Sequence, residues 1–226
     1  MYVSAIVASG GLGLRMASRV PKPLVKLGRK PIFIHTLNIL SRHPEIKEII
    51  LVVSSRAMRE ALRQIKEHRI KKIKTVVLGA DKRRGSVENG LACISKRAEL
   101  VLIHDAVRPF IDSGMISSLI TAAKKTGACV LGVPVKPALK KVDAKGWVVS
   151  TLNRKQICEI QTPQVFKKSI LLRAFKKFPQ LDAFDDASLV EKMDKRVAVV
   201  LGSYFNIKIT TPEDMVFARA ILKVLK

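Results

Sequence analysis

Short runs of β-branched and aliphatic residues alternate with amphipathic stretches of helical length from residue 3 to residue 134. That alternation narrows the possible folds more than any other feature of the chain. Residues 3–8, 49–53, 75–78, 100–104 and 128–134 are nearly continuous apolar runs, the pattern of strands buried on both faces. Between them, residues 31–40, 56–66, 86–94 and 114–124 carry apolar positions at helical spacing. Pro31 suits the first turn of its helix, where a missing N–H costs no hydrogen bond. Asp112 or Ser113 caps the fourth helix and Gly127 ends it. The repetition predicts an α/β fold with a mostly parallel sheet, right-handed crossovers and helices on both faces.

The pattern changes after Pro134. Residues 140–142 and 147–152 flank the turn-forming Asp143-Ala144-Lys145-Gly146, which reads as a β-hairpin. Such a hairpin is marginal alone and needs a surface to pack on, and a second subunit is an obvious one. Helix (167–178), strand (197–201), short strand (207–209) and a closing helix from Pro212 follow. With no linker or low-complexity segment, residues 1–226 read as one domain, with 135–160 as a β-arm. The opening residues lack a basic flank and run into glycines, unlike a signal peptide. No stretch approaches the roughly 20 apolar residues of a membrane span.

Cys93, Cys129 and Cys158 are scattered, with no C-x-x-C pair, so neither a disulfide framework nor a zinc site is expected. They read as small buried hydrophobes in a reducing cytoplasm. A net charge of +24 favours anionic partners. Nucleic acid is not the expected one, because aromatics make up only 5% of the chain and residues 66–74, rich in Lys and Arg, contain none.

The chemistry gathers where strands end. After the first strand comes Ser9-Gly10-Gly11-Leu12-Gly13-Leu14-Arg15-Met16. Glycines there let backbone N–H groups approach an anion, so the loop serves a dinucleotide, a nucleoside triphosphate or a plain tight turn. It lacks the third glycine and the acidic residue of a dinucleotide site, since Met16 and Val53-Ser54 stand in those places, and it is not a Walker A loop. These absences count against a nicotinamide-dependent dehydrogenase. Arg15 lies within the loop and Lys22 between Pro21 and Pro23. Two cations beside a phosphate cradle suit phosphoryl transfer, where charge builds on non-bridging oxygens. The fourth strand ends in His104-Asp105-Ala106-Val107-Arg108-Pro109. An aspartate at that edge either holds Mg2+ for a triphosphate or caps the next helix. His104 reads as a packed core histidine.

Taken together, the glycine loop, Pro21-Lys22, HDAVRPF (104–110), QTPQVF (161–166), DDASLVE (185–191) and NIKITTPEDM (206–215) resemble the 2-C-methyl-D-erythritol 4-phosphate cytidylyltransferases of the nonmevalonate isoprenoid pathway. The match runs in order along nearly the whole chain. A sister group, the ribitol-5-phosphate cytidylyltransferases, shares much of it. The resemblance implies a Rossmann-like domain, a homodimer with projecting arms, and CTP, Mg2+ and a polyol phosphate as ligands. It implies that Ser9, Gly10, Gly11 and Gly13 cradle CTP and that Arg15 and Lys22 stabilise the transition state. Gly79, Ala80, Asp81 and Ser86 would line the cytosine and ribose pocket. Asp105 would sit by the metal, and Ala106 and Arg108 would contact nucleotide and acceptor. Arg154, from the arm and across the dimer, and Lys208 would hold the acceptor phosphate, with Thr162 as another acceptor contact.

The chain departs from the family pattern at particular points. Ser9 replaces a common alanine, Pro137-Ala138 replace an Asp-Thr pair, and Phe184 replaces a threonine before DDAS. Both of those threonines contact the acceptor in the family. Losing a hydrogen bond to a charged group costs about 1.5–3 kcal/mol, so the acceptor half of the site is expected to differ more than the nucleotide half.

Overall fold

The computed structural model describes residues 1–9, 20–179, 181 and 183–225. In chain order, the first strands are β1 (Val3–Ser9), β2 (Lys26–Leu27), β3 (Lys30–Pro31), β4 (Ile46–Val53), β5 (Ile73–Leu78) and β6 (Leu100–Asp105). They are followed by β7 (Ala128–Pro134), β8 (Leu139–Val142), β9 (Val148–Leu152), β10 (Cys158–Lys167) and β11 (Ala198–Leu201). The helices are α1 (Ile32–Arg42), α2 (Ser55–Glu67), α3 (Arg83–Leu91), α4 (Ser113–Thr126), α5 (Lys168–Lys177), α6 (Asp186–Glu191) and α7 (Pro212–Val224).

A seven-stranded sheet runs in the order β11-β7-β10-β6-β1-β4-β5. Every neighbouring pair in it is parallel except those made by β10, which is antiparallel to both β6 and β7. The expected mostly parallel α/β sheet is therefore present. Alternate residues along each central strand supply opposite faces. Val3, Ala5 and Val7 of β1 pack with Phe33, Leu37 and Leu40 of α1, Ala57 of α2 and Leu119 of α4. On the other face, Ile6 joins Val87 of α3, Leu171 and Phe175 of α5, and Leu189 of α6. A smaller cluster ties α7, through Met215, Ala218 and Ile221, to Val107, Phe110 and Ile209.

Local chemistry explains several boundaries. Asp112 caps α4 by accepting from the Met115 N–H at 2.8 Å, and Gly127, at φ +86°, ends that helix in the left-handed region. In α7, Thr211 and Asp214 form a reciprocal capping box.

The structure differs from the sequence expectation at several elements. Strand β10 has no counterpart among the strands expected from the sequence; it contains Pro163, a residue that interior strands avoid. Its ladder shifts register between Gln161 and Gln164, so the proline sits at a bulge, where a missing N–H is tolerated. Helix α6 was also not foreseen. Residues 207–209, read as a strand, make no ladder: Ile209 N–H donates to Val107 O at 3.0 Å and the segment runs on into α7. Finally, β5 is not buried on both faces, because it is the sheet's edge and most of its residues are only half-buried.

β8 and β9 form a separate antiparallel hairpin whose residues are mostly exposed. Cys158, Glu159 and Ile160, read as the arm's end, already pair with Pro134, Val133 and Gly132 of β7.

Candidate active site

From β1 the chain passes to β4 and β5 on one side, and then to β6 on the other. The order therefore reverses between β1 and β6, and the crevice outside those carboxyl ends is where an open α/β sheet takes its ligand. Ser9 ends β1 and Asp105 ends β6, with Ala8 and Asp105 in register and Ala106 N–H donating to Ala8 O at 3.0 Å.

Asp105 is 6% exposed and surrounded by cations. Lys208 Nζ lies 2.8 Å from its Oδ2, and Arg108 Nε lies 3.8 Å from the same oxygen. Arg83 Nε is 3.7 Å from Oδ1. Burial alone would push this carboxyl up, but Lys208, Arg83 and Arg108 hold it well below the usual carboxylate range. Asp105 is thus ionised, as a ligand for a metal or a cation must be. It caps no helix: α4 begins at Ser113, with Asp112 as its cap.

A buried hydrogen-bond chain fixes the backbone at this point. Asp105 N–H donates to Thr162 Oγ1 at 3.0 Å. Thr162 Oγ1 lies 2.9 Å from His104 Nδ1, and His104 Nε2 lies 3.1 Å from Arg108 O. A carbonyl only accepts, so Nε2 carries the proton, Nδ1 accepts, and the threonine hydroxyl donates to it. Burial pushes the His104 imidazole down to about 4, and a neutral ring is what the chain requires. The expected core histidine is confirmed, with a share in placing Asp105. The Thr162 hydroxyl proton is therefore committed to His104.

Asn206 completes the floor. Its side chain donates to Thr162 O at 3.0 Å and to Gln161 Oε1 at 3.1 Å. Its carbonyl accepts from Arg108 Nη1 at 2.8 Å. Lys208, two residues on, is thereby carried to Asp105. Among the described residues four buried side-chain atoms lack hydrogen-bond partners, and three of them, Ser9 Oγ, Arg108 Nε and Asn206 Oδ1, belong to this edge of the sheet, the fourth being His43 Nδ1. Buried polar groups are ordinarily satisfied, so this concentration marks a place prepared for a ligand.

The neighbouring loop follows β5. Gly79 N–H donates to Val53 O at 2.8 Å. Ser86 Oγ accepts from Ala80 N–H at 3.0 Å and donates to Ala80 O at 3.2 Å. A Cβ on Gly85 would meet Ala80 Cβ at 2.7 Å, so only glycine permits this tight return. Ser86 is buried, whereas Ala80 and Asp81 remain exposed at the mouth.

Ser9, Asp105, Ala106, Arg108, Thr162 and Lys208 therefore converge, with the Gly79–Ser86 loop joined to them through Arg83. Lys22 opens the short 3-10 turn Lys22–Leu24 and is half-buried. Gly10, Gly11, Gly13 and Arg15 lie outside the described residues. Arg154 is exposed in the arm and donates to Lys136 O, so within one chain it is engaged with the arm's own backbone.

Two site residues escaped the sequence reading. Arg83 Nη2 donates to Asp186 Oδ2 at 2.7 Å while its Nε faces Asp105. Burial opposes a charge on Arg83, but Asp186 and Asp105 raise its pKa and keep it protonated. Asp186 lies in the DDASLVE run and Arg83 between Asp81 and Ser86, but pairing across 103 positions is invisible in one sequence.

The sheet edge, the cation-ringed carboxylate and the serine-pinned loop are together suited to an anionic ligand, and comparison with known proteins shows the family to which the chain belongs. The family model for 2-C-methyl-D-erythritol 4-phosphate cytidylyltransferase (IspD) matches residues 3–224. A protein of that name from Alkaliphilus metalliredigens is 44% identical, over 99% of this chain and 94% of the relative. One from Syntrophus aciditrophicus is also 44% identical, over 98% and 96%. Among solved structures, 4-diphosphocytidyl-2C-methyl-D-erythritol synthase from Anaerococcus prevotii superposes with a TM-score of 0.86 at 33% identity, covering 98% of both chains. The 2-C-methyl-D-erythritol 4-phosphate cytidylyltransferase of Thermus thermophilus gives 0.80 at 27% identity, covering 99% of this chain and 100% of that one. By family, then, this chain is one of the 2-C-methyl-D-erythritol 4-phosphate cytidylyltransferases.

Proposed function

We propose that the protein transfers a cytidylyl group from CTP to 2-C-methyl-D-erythritol 4-phosphate, a step of nonmevalonate isoprenoid biosynthesis. An oxygen of the acceptor's phosphate attacks the α-phosphorus of CTP. The new P–O bond joins the two phosphates, the bond from the α-phosphorus to the β-phosphate's bridging oxygen breaks, and pyrophosphate leaves. The observation that carries this reading is the ionised Asp105 at the β1/β6 switch point, with Lys208 at 2.8 Å and Arg83 and Arg108 close by.

No general base is needed. A phosphate monoester is largely a dianion at neutral pH, since its second pKa is about 6. His104 could not act as one, because both ring nitrogens are engaged in the buried chain. The difficulty is instead the repulsion between two polyanions, and positioned cations lower it. Lys208 is half-exposed, so its ammonium can bond Asp105 and still meet an incoming phosphate. Arg15 and Lys22 follow the first strand and serve the triphosphate. Ser9 and the Gly10-Gly11-x-Gly13 loop cradle it, and the Gly79–Asp81 backbone, held by Ser86, reads the base.

Asp105 also suits Mg2+. It is an ionised oxygen donor, and among the described residues no cluster of three or more His, Cys, Asp or Glu surrounds it. Mg2+ habitually relies on one or two carboxylates together with substrate phosphates. When bound, the ion neutralises charge on the triphosphate.

The arm favours a homodimer. Trp147, Val148, Val149 and Leu152 are exposed along it, an apolar surface that a second copy would cover while bringing Arg154 to its neighbour's acceptor. Among the described residues no helix is long and apolar enough to cross a membrane.

Pyrophosphate release with CTP, Mg2+ and each of two acceptors tests the proposal. Methylerythritol 4-phosphate is the expected substrate. Preference for ribitol 5-phosphate, which the loss of hydroxyls at Pro137-Ala138 and Phe184 makes the natural second candidate, would reassign the acceptor. Release with neither would refute the reading.

A further inference from the structure

Asp105 and Asp186 are both buried carboxylates, 6% and 2% exposed, and one guanidinium serves both. Arg83 Nη2 donates to Asp186 Oδ2 at 2.7 Å, but its Nε stops 3.7 Å short of Asp105 Oδ1. The first distance is a hydrogen bond and the second is not. Asp105 is therefore lopsided. Its Oδ2 takes the 2.8 Å contact from Lys208, whereas among the described residues no hydrogen bond reaches Oδ1.

Left to itself, a guanidinium beside a carboxylate closes onto it, often through two parallel hydrogen bonds. Here Arg83 is committed elsewhere. Asp186 opens α6, whose cap Asp185 accepts from Ser188 N–H at 2.9 Å and from Gln164 Nε2 at 2.6 Å. Gln164 Oε1 in turn accepts from Ala187 N–H at 3.2 Å. Asp186 is thus anchored to β10 on two sides, and Arg83 follows it.

We propose that Asp186 is a positioning residue that holds Arg83 off Asp105. The guanidinium then compensates the buried charge while the lone pairs of Oδ1 stay open to the divalent cation that accompanies CTP. Arg83 also begins α3, directly after the loop assigned to the cytosine, so the same tether ties the base-reading loop to the carboxylate. This inference rests on the function proposed above.

The test is a reversal. Asp186→Ala releases Arg83 onto Oδ1. Mn2+ binding in the presence of CTP, read by electron paramagnetic resonance, should weaken about tenfold, the scale of coupling between contacting charged groups. The kcat should fall alongside, with a smaller change in the KM for the acceptor. Removing the released cation as well, in Arg83→Met/Asp186→Ala, should restore Mn2+ binding to within about threefold of the wild type. Arg83→Met alone strands the Asp186 charge and should lower the melting temperature, and the double variant should recover it. A double variant as poor as Asp186→Ala, or an Asp186→Ala protein that binds Mn2+ like the wild type, would overturn the proposal. Lack of wild-type turnover would count against the cytidylyltransferase reading instead, and the metal-binding comparison would still report on the tether.

Discussion

Replacing Thr162 by valine keeps the side chain's shape and removes one hydroxyl. In the structure that hydroxyl accepts from Asp105 N–H at 3.0 Å and donates to His104 Nδ1 across 2.9 Å. Two buried polar atoms would lose their partners at once. Each orphaned group costs about 1–3 kcal/mol, so the variant should lose about 2–6 kcal/mol. The imidazole has no escape by switching tautomer, because a proton moved to Nδ1 would leave Nε2 facing the Arg108 carbonyl, lone pair to lone pair. For a chain of 226 residues, each kcal/mol corresponds to about 2–4 °C in Tm. A drop of about 4–24 °C in a calorimetric melt follows. Thr162→Ser, which keeps the hydroxyl and loses about one methyl's burial, should stay within about 1 kcal/mol of the wild type. Activity should fall with the valine variant even where the protein is fully folded, because the Asp105 backbone is no longer pinned. Equal melting temperatures for wild type and Thr162→Val would refute the hydrogen-bond chain.

Further expectations follow from single groups. Lys208→Gln removes the 2.8 Å charge partner of Asp105 and the phosphate contact proposed for it; the loss of one charge-assisted hydrogen bond, about 1.5–3 kcal/mol, puts the fall in kcat/KM for the acceptor at about ten- to a hundredfold, and an unchanged value would remove Lys208 from the site. Lys22→Ala should lower kcat by at least about a hundredfold while circular dichroism stays that of the wild type; retained turnover would free Lys22 of its assigned role. Glu48 accepts from Ser4 Oγ, Ser95 N–H and Tyr2 Oη and pairs with Lys74. Burial would raise its pKa, but these donors bring it below the ordinary 4.5. Its stabilising contribution is therefore full above 4.5 and is lost as pH falls through the folded-state value. Urea unfolding between pH 6 and pH 3 should show a shallower decline for Glu48→Gln than for the wild type, and parallel curves would contradict the assignment.

The sheet was legible in the sequence because its parallel strands are nearly continuous apolar runs and its helices are apolar on one face. Those periods differ, and they depend only on local order along the chain. The same logic failed at β10, where Pro163 hides an interior strand behind a bulge that only the partner strands reveal. It failed again at residues 207–209, whose apolar alternation answers to α7 and Val107 rather than to a ladder. In the site, Asp105 and Lys208 could be named in advance through motif resemblance, because each closes or follows an element with a recognisable ending. Arg83 and Asp186 could not. Their importance lies in a 2.7 Å contact between α3 and α6, and single-sequence patterns carry no distances. Arg154 is tied to its own arm by a hydrogen bond to Lys136 O.

The most direct test is a crystal structure of the protein with Mg2+, the acceptor and a CTP analogue whose α,β-bridging oxygen is replaced by a methylene group, so that pyrophosphate cannot leave. The triphosphate should lie across the carboxyl ends of β1 and β6, with Arg15 and Lys22 on its oxygens, Asp105 turned to the metal, and Lys208 on the acceptor's phosphate group. A triphosphate bound away from Asp105, or a Lys208 ammonium directed away from both ligands, would contradict a site built to bring two polyanions together.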